Sequence, residues 1–296
     1  MPDSTFLDPE ALARIGSMEL VAREVVEGFV SGRHRSPYHG FSVEYADHRS
    51  YSPGDELRAL DWKLLARTDK YFIKLFEEET NLRAYILVDC SRSMSFKSGE
   101  LDKLSYGSYL AAALAYLMIR QNDSVGLVMF DREVRNYLPP RSTPVHFRRI
   151  LEQLDRKHLG DDTNIGVILH ELAERIKRRG LIILISDLID DVAGIIGGLQ
   201  HFRHRHHEVI VFHVMDDAEL TFPFDRLTRF KDIEGSARVV ANPNTLRQRY
   251  LARIKEFTER LRGECFERNI SYNLVCTKQP YAEFLAAYLD KRARLG

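Results

Sequence analysis

The sequence predicts an α/β protein built on an open, mostly parallel sheet with helices on both faces. Three observations carry that prediction. "AYILVD" (84–89) and "LIILIS" (181–186) are apolar almost throughout, as central strands covered on both faces are. Strand-like and helical patterns alternate from about residue 82 to the end of the chain. Asp89 and Asp187 each close an apolar strand, so both carboxylates belong on the carboxyl-end rim where such sheets gather ligands.

The elements follow in order. "DPEALARIGSMELVAREVVEGFV" carries Leu12, Ile15, Met18, Ala22, Val25 and Phe29 at helical spacing, with Asp8 as a cap and Pro9 in the first turn. Residues 32–56, rich in Gly, Ser, Pro and His, read as irregular, and a short helix follows around "DELRALDWKLLAR". "YFIKLFEEE" (71–79) is strand-like. "DKLSYGSYLAAALAYLMIRQ" is a mostly apolar helix, and "SVGLVMF" and "EVRNYL" form a hairpin around Asp131–Arg132. Helices are expected at about 144–155 and 164–178, before "LIILIS", and at "VAGIIGGLQHF" after it. "EVIVFHV" and "SYNLVC" are strands. Between them lie a β-rich excursion with a Glu234–Gly235 turn and a long helix over 243–268. The predicted organisation is an N-terminal helical/β extension (1–80) packing on a main domain (81–296) with a small β insertion near 216–241.

Composition narrows the function classes. A chain of 296 residues with 44% hydrophobic and 29% charged residues can build a sizeable core. Lys+Arg and Asp+Glu both total 43, so no global basic field calls for nucleic acid. Three sparse cysteines argue against a disulfide framework and for a reducing compartment. No basic-then-apolar leader opens the sequence, and apolar runs such as "YLAAALAYLMI" fall short of the ~20 residues of a spanning helix. The expectation is a soluble cytoplasmic protein without a membrane span.

"DCSRSM" raises the chemical question. Asp89 is followed by hydroxyls at alternate positions, Ser91 and Ser93. Such an ending suits a phosphoryl-accepting aspartate, an activated serine or an oxygen-ligated metal. "GDDTNIG" (160–166) adds Thr163, a candidate N-cap facing the same rim. Two carboxylates and three hydroxyls favour a hard divalent ion, Mg²⁺ or Mn²⁺, over zinc or copper. Neutral hydroxyl ligands leave such an ion with residual positive charge and room for an external carboxylate. The enzyme alternatives lack their signatures. The chain has Ser91 where haloacid-dehalogenase-like phosphatases place a second acid, no Walker-type phosphate loop, and no G-x-S-x-G elbow.

The set Asp89-x-Ser91-x-Ser93, Thr163-Asn-Ile-Gly and Ser186-Asp187 resembles the metal-ion-dependent adhesion site of von Willebrand factor A domains. The resemblance implies a von Willebrand A-like (Rossmann-like) sheet. It also implies that Ser91, Ser93 and Thr163 approach a Mg²⁺ or Mn²⁺ ion directly, while Asp89 and Asp187 act through water or switch. One departure is Leu188, which stands where a glycine is frequent. "RSYSPGDELRALDWKLLART", "YFIKLFEEE", "DDAELTFPF" and "FKDIEG" narrow the resemblance to a bacterial group, the domain of unknown function 58 family, over roughly residues 12 to 290. That likeness implies no catalytic residue. It implies a protein partner offering an Asp or Glu, and work beside a MoxR-type AAA+ ATPase in protein remodelling or complex maturation. A Mg²⁺-dependent phosphoryl-transfer enzyme using Asp89, and a structural module whose site no longer binds metal, stand as alternatives.

Other motifs have plainer readings. Trp62, with Arg58, Asp61 and Arg67, has the composition of structural glue. His201, His204, His206 and His207 sit in a helix-to-strand connection at the opposite edge from the rim, and read as a solvated basic turn. Cys90 reads as a small packing residue, and the basic stretches "FRRILEQLDRK" and "ERIKRRG" as solvated helix faces.

Overall fold

A computed structural model describes residues 18, 41–50, 64, 67–68, 71–79, 82–156, 160, 164–226, 228–231 and 238–295. Two compact units divide the chain, one of Ser36–Leu82 and one of Met1–Arg35 with Arg83–Gly296. In the smaller unit, β1 (Phe41–Ser50) pairs antiparallel with β2 (Phe72–Glu79). β1 corrects the expectation that 32–56 is irregular. Phe41, Val43 and Tyr45 do alternate, but the register shifts between Tyr45 and Asp47, and a bulge there breaks the two-residue period. The turn-rich composition on either side hid what remained. Of the expected helix at 8–30 only Met18 is described, and it is helical and buried, while Trp62, Arg58 and Asp61 lie outside the described residues. So does most of the short helix before β2, of which Leu64, Arg67 and Thr68 are helical.

The larger unit holds a six-stranded sheet in the order β10-β7-β6-β3-β4-β5. Its strands are β3 (Arg83–Asp89), β4 (Ser124–Phe130), β5 (Val134–Arg141), β6 (Leu181–Ser186), β7 (Glu208–Met215) and β10 (Ser271–Cys276). All neighbours are parallel except the edge strand β5, which returns from β4 as the expected hairpin. β3 continues to β4 on one side, whereas β6 lies on the other. The strand order reverses between β3 and β6, and their carboxyl ends frame the crevice that such a reversal leaves open.

Side-chain alternation explains why β3 and β6 are apolar throughout. Tyr85, Leu87, Ile182 and Leu184 enter one core with α3 (Ile165–Arg175), α4 (Val192–His204) and the buried Leu261 and Cys265 of α6 (Pro243–Glu267). Ile86, Val88, Ile183 and Ile185 are equally buried but point to the other face. There α1 (Lys103–Arg120) packs with α2 (Pro144–Asp155) and α7 (Tyr281–Leu295). Gly107 lets α1 come close, since a Cβ there would lie 2.9 Å from Ile185 Cγ2. α7 was not anticipated after "SYNLVC". Its Leu285 and Tyr288 are buried, and Phe284 and Tyr288 meet the edge of Phe212 on β7, a contact that only the sheet supplies.

Sequence-coded caps set the helix starts. Asp102 accepts from Ser105 N at 2.6 Å, Thr143 precedes Pro144 at the first turn of α2, and Asp191 accepts from Gly194 N at 2.8 Å. The excursion before α6 is β8 (Thr228–Lys231) paired antiparallel with β9 (Arg238–Ala241), and the Glu234–Gly235 turn lies outside the described residues. The first part of the expected β insertion is instead a short helix, α5 (Asp217–Thr221). Asp216 and Glu219 form a capping box there, and that reciprocal pair of hydrogen bonds starts a helix. No helix among the described residues is long and apolar enough to cross a membrane.

Candidate metal site at the ends of β3 and β6

Asp89 is the last residue of β3 and is 0% exposed. Its Oδ1 accepts from Ser91 N at 2.9 Å, and its Oδ2 accepts from the Ser186 hydroxyl at 2.6 Å. Ser186 Oγ in turn accepts from Leu188 N at 2.9 Å, so one hydroxyl ties the ends of β3 and β6 together. No described cation pairs with Asp89. Burial, reinforced by the Asp187 charge, pushes its carboxyl well above the ordinary range.

After Asp89 the chain enters a 3-10 turn over Arg92–Ser95. The turn brings Ser91 Oγ and Ser93 Oγ to 3.0 Å. Two neighbouring ligands of an octahedral Mg²⁺, each at about 2.1 Å, lie ~3.0 Å apart, so the pair has the spacing of adjacent ligands. Exposure rises from Asp89 through Ser91 (1%) to Ser93 (7%), which orders the site from its floor to its mouth.

Asp187 lies just past β6 and is engaged by a residue that sequence reasoning missed. Lys103, in the first turn of α1 and 0% exposed, places Nζ 2.8 Å from Asp187 Oδ2 and 2.8 Å from Glu219 Oε1. Burial works against the ammonium, but the two carboxylates outweigh it and hold its pKa above the ordinary lysine value. Glu219 Oε2 accepts from Asp216 N, which fastens this ion pair to the start of α5. His213 of β7 is also buried here. Its Nδ1 meets Tyr272 OH at 2.6 Å and its Nε2 makes no hydrogen bond among the described residues; burial lowers its pKa to about 4, so the ring is neutral at physiological pH. The sequence did hold a signal for Lys103, because a cation is disfavoured in the first turn of a helix by the helix dipole and needs a reason to be there.

Leu188 adopts φ 54°, the left-handed region that favours glycine. Its side chain is 0% exposed within the core shared with α3 and α4, and that burial offsets the backbone cost. The leucine noted in the sequence thus occupies a backbone conformation that a glycine would adopt without cost.

Thr163 lies outside the described residues, as do Asp161 and Asp162. The residues flanking it are anchored on both sides. Gly160 N donates to Cys90 O at 2.8 Å, and Ile165 N donates to Asp190 Oδ2 at 2.7 Å. A Cβ on Gly160 would fall 1.7 Å from Asp131 Oδ2, so no side chain fits at that position. The cap of α3 is Asn164, whose side chain accepts from Val167 N at 3.2 Å; this corrects the expectation that Thr163 is the cap. Ile189 (48% exposed) and Val167 (59%) stand on the two segments that Asp190 joins, an apolar pair left to solvent at the rim.

The remaining motifs resolve locally. The Cys90 thiol donates to Phe130 O at 3.0 Å, and burial beside Asp89 pushes its pKa up to about 12, which leaves it unreactive. His201 meets Glu174 at 3.0 Å at the end of α4, and His207 is buried with Nε2 3.2 Å from Ile176 O.

The profile of the family described as "Protein of unknown function DUF58" matches residues 47–260. The chain belongs to this family. Among curated relatives, this DUF58 protein is 25% identical over 221 residues to an uncharacterized protein of Mycobacterium tuberculosis, covering 73% of this chain and 68% of the relative. It is 30% identical over 132 residues to the uncharacterized protein YeaD of Bacillus subtilis, covering 45% of this chain and 31% of that one. Among solved structures, it is similar to the conserved hypothetical protein BatB of Bacteroides thetaiotaomicron, with a TM-score of 0.48, 18% identity, and coverage of 72% of this chain and 99% of that one. An aerotolerance-related membrane protein of Bacteroides fragilis gives a TM-score of 0.48 and 16% identity, covering 71% of this chain and 97% of that one.

Proposed function

We propose that this DUF58 protein is a von Willebrand A-like, metal-dependent protein-binding module. Its adhesion site holds Mg²⁺ or Mn²⁺ through Ser91, Ser93 and Thr163, with Asp89 and Asp187 acting through water. The ion supplies a hard Lewis-acidic centre that accepts a carboxylate from a partner protein. One observation carries this reading above the others: two hydroxyls at adjacent-ligand spacing stand over a buried carboxylate with no described counter-cation. A dication offsets the Asp89 charge, and the serine oxygens can turn their lone pairs toward it because either can give up its mutual hydrogen bond.

The exposed Ile189 and Val167 support the same reading, since apolar side chains left to solvent on the segments flanking the site can be buried against a partner. The phosphoryl-transfer alternative draws no support from Asp89. A nucleophile needs a free path to phosphorus, and this carboxylate is 0% exposed with both oxygens already accepting hydrogen bonds. Cooperation with a MoxR-type AAA+ ATPase, the cytoplasm as its place of work and a role in complex maturation complete the proposal, on family resemblance alone.

The test is metal-dependent capture from the native cell. Wild-type protein in Mg²⁺ should retain a partner that Asp89→Ala and EDTA both lose, while circular dichroism shows the variant folded. Capture at wild-type strength in EDTA removes the metal from the function. Turnover of a phosphate ester by purified protein, lost in Asp89→Asn, moves the protein to the enzyme class.

A further inference from the structure

We propose that Lys103 is a built-in monovalent cation that holds Asp187 back from the divalent ion and so keeps the site's affinity for metal low until a partner carboxylate arrives. This inference rests on the metal-site reading above. It starts from a placement that stability does not explain. Lys103 sits in the first turn of α1, where the helix dipole disfavours a cation, and its side chain is completely buried. Buried ion pairs add little stability compared with well-packed apolar residues, so stapling α1 to α5 is a weak reason to keep one.

Charge accounting gives a stronger reason. With both aspartates bare, a divalent ion would meet two negative charges and be neutralised in place. Lys103 Nζ, 2.8 Å from Asp187 Oδ2, cancels one of them. Among the described residues the other oxygen of Asp187 has only a long contact, 3.4 Å, from Ile189 N, so the ammonium is the dominant described partner of this carboxylate. Glu219 fixes where the ammonium sits, and its second oxygen is taken up by Asp216 N. Lys103, Asp187 and Glu219 together sum to one negative charge instead of the two that the bare carboxylates would carry, and Asp187 Oδ2 is engaged by the ammonium, so the ion keeps more positive charge to spend on an incoming acid. Lys103 thus acts through Asp187 as a positioning residue and need not touch the metal.

Two neutral variants push the balance in opposite directions. Lys103→Met keeps an unbranched side chain one atom shorter and frees Asp187, so Mg²⁺ and Mn²⁺ titrated calorimetrically into the purified full chain should bind roughly tenfold or more tighter. The upward shift in melting temperature on adding metal should grow in the same variant. Glu219→Gln leaves the ammonium to Asp187 alone and should weaken metal binding by about threefold or more. Binding detectable in Lys103→Met and absent in wild type also supports the proposal. A lysine that only braces the fold would lower the melting temperature and leave the metal dissociation constant unchanged; that result overturns it. Should Lys103→Met fail to fold, the Glu219→Gln titration decides, and an unchanged constant there overturns it. A wild-type site that binds metal and loses it in Asp89→Asn, with constants unaltered in both Lys103 and Glu219 variants, sinks this inference but spares the metal-site reading. Metal binding by none of the proteins sinks both.

Discussion

Replacing Asp89 by asparagine should make the metal-free protein more stable, and the sign of that effect tests the electrostatic reading of the site. Burial and the Asp187 charge raise the Asp89 pKa from 3.8 to about 7. A carboxylate with a raised folded-state value contributes stability below its unfolded value and loses it as pH climbs through the folded one. At about pH 8 the ionised group therefore carries a penalty of roughly three pKa units, at most about 4 kcal/mol at ~1.4 kcal/mol each. Asparagine is nearly isosteric and uncharged. It keeps an oxygen for Ser91 N but must reverse the hydrogen bond to Ser186, a cost of about 1 kcal/mol. The balance is a gain of about 2–3 kcal/mol, or ~5–10 °C in melting temperature for a unit of this size. Thermal unfolding followed by circular dichroism in EDTA at about pH 8 measures it. Excess Mg²⁺ should then raise the wild-type melting point, by ~2.7 kcal/mol of stability at a hundred times the dissociation constant, and leave Asp89→Asn where it was. A variant that melts at or below wild type in EDTA refutes the argument, because the buried carboxylate would then be held by a favourable field that the described residues do not provide.

The same linkage predicts that the Mg²⁺-induced rise in wild-type melting temperature is small near pH 4, where Asp89 is protonated, and grows up to about pH 7; a flat difference across that window counts against Asp89 as the group facing the ion. Gly160→Ala should cost about 3 kcal/mol, seen as a melting point lower by ~6–12 °C, since its Cβ would displace the buried Asp131 that pairs with Arg135 at 2.8 Å. Phe202→Ala, at a 0%-exposed core position on α4, should cost about 3–5 kcal/mol in denaturant unfolding without altering the affinity for metal. Val167→Ser with Ile189→Ser should leave the melting temperature within ~1 °C of wild type, because both side chains are exposed, yet weaken metal-dependent partner capture in pulldowns.

Apolar patterning along the chain announces the strands of the six-stranded sheet and the order in which they appear. Unbroken apolar runs at β3 and β6 can exist only where both faces are covered, and helices intervening between strands force parallel crossovers. The sequence also specified the chemistry brought to the rim, since Asp89, Ser91, Ser93, Ser186 and Asp187 follow directly from strand ends. It concealed β1, because a bulge destroys the alternation that announces a strand, and it concealed α7, whose buried face is defined by Phe212 on a neighbouring strand. The company those residues keep comes from the packing of distant segments. Lys103 lies 84 residues before Asp187 and 116 before Glu219, and no local pattern says that both carboxylates meet its ammonium. Periodicity encodes which face a side chain takes; which charge faces which is settled when α1 and α5 close over the ends of the sheet.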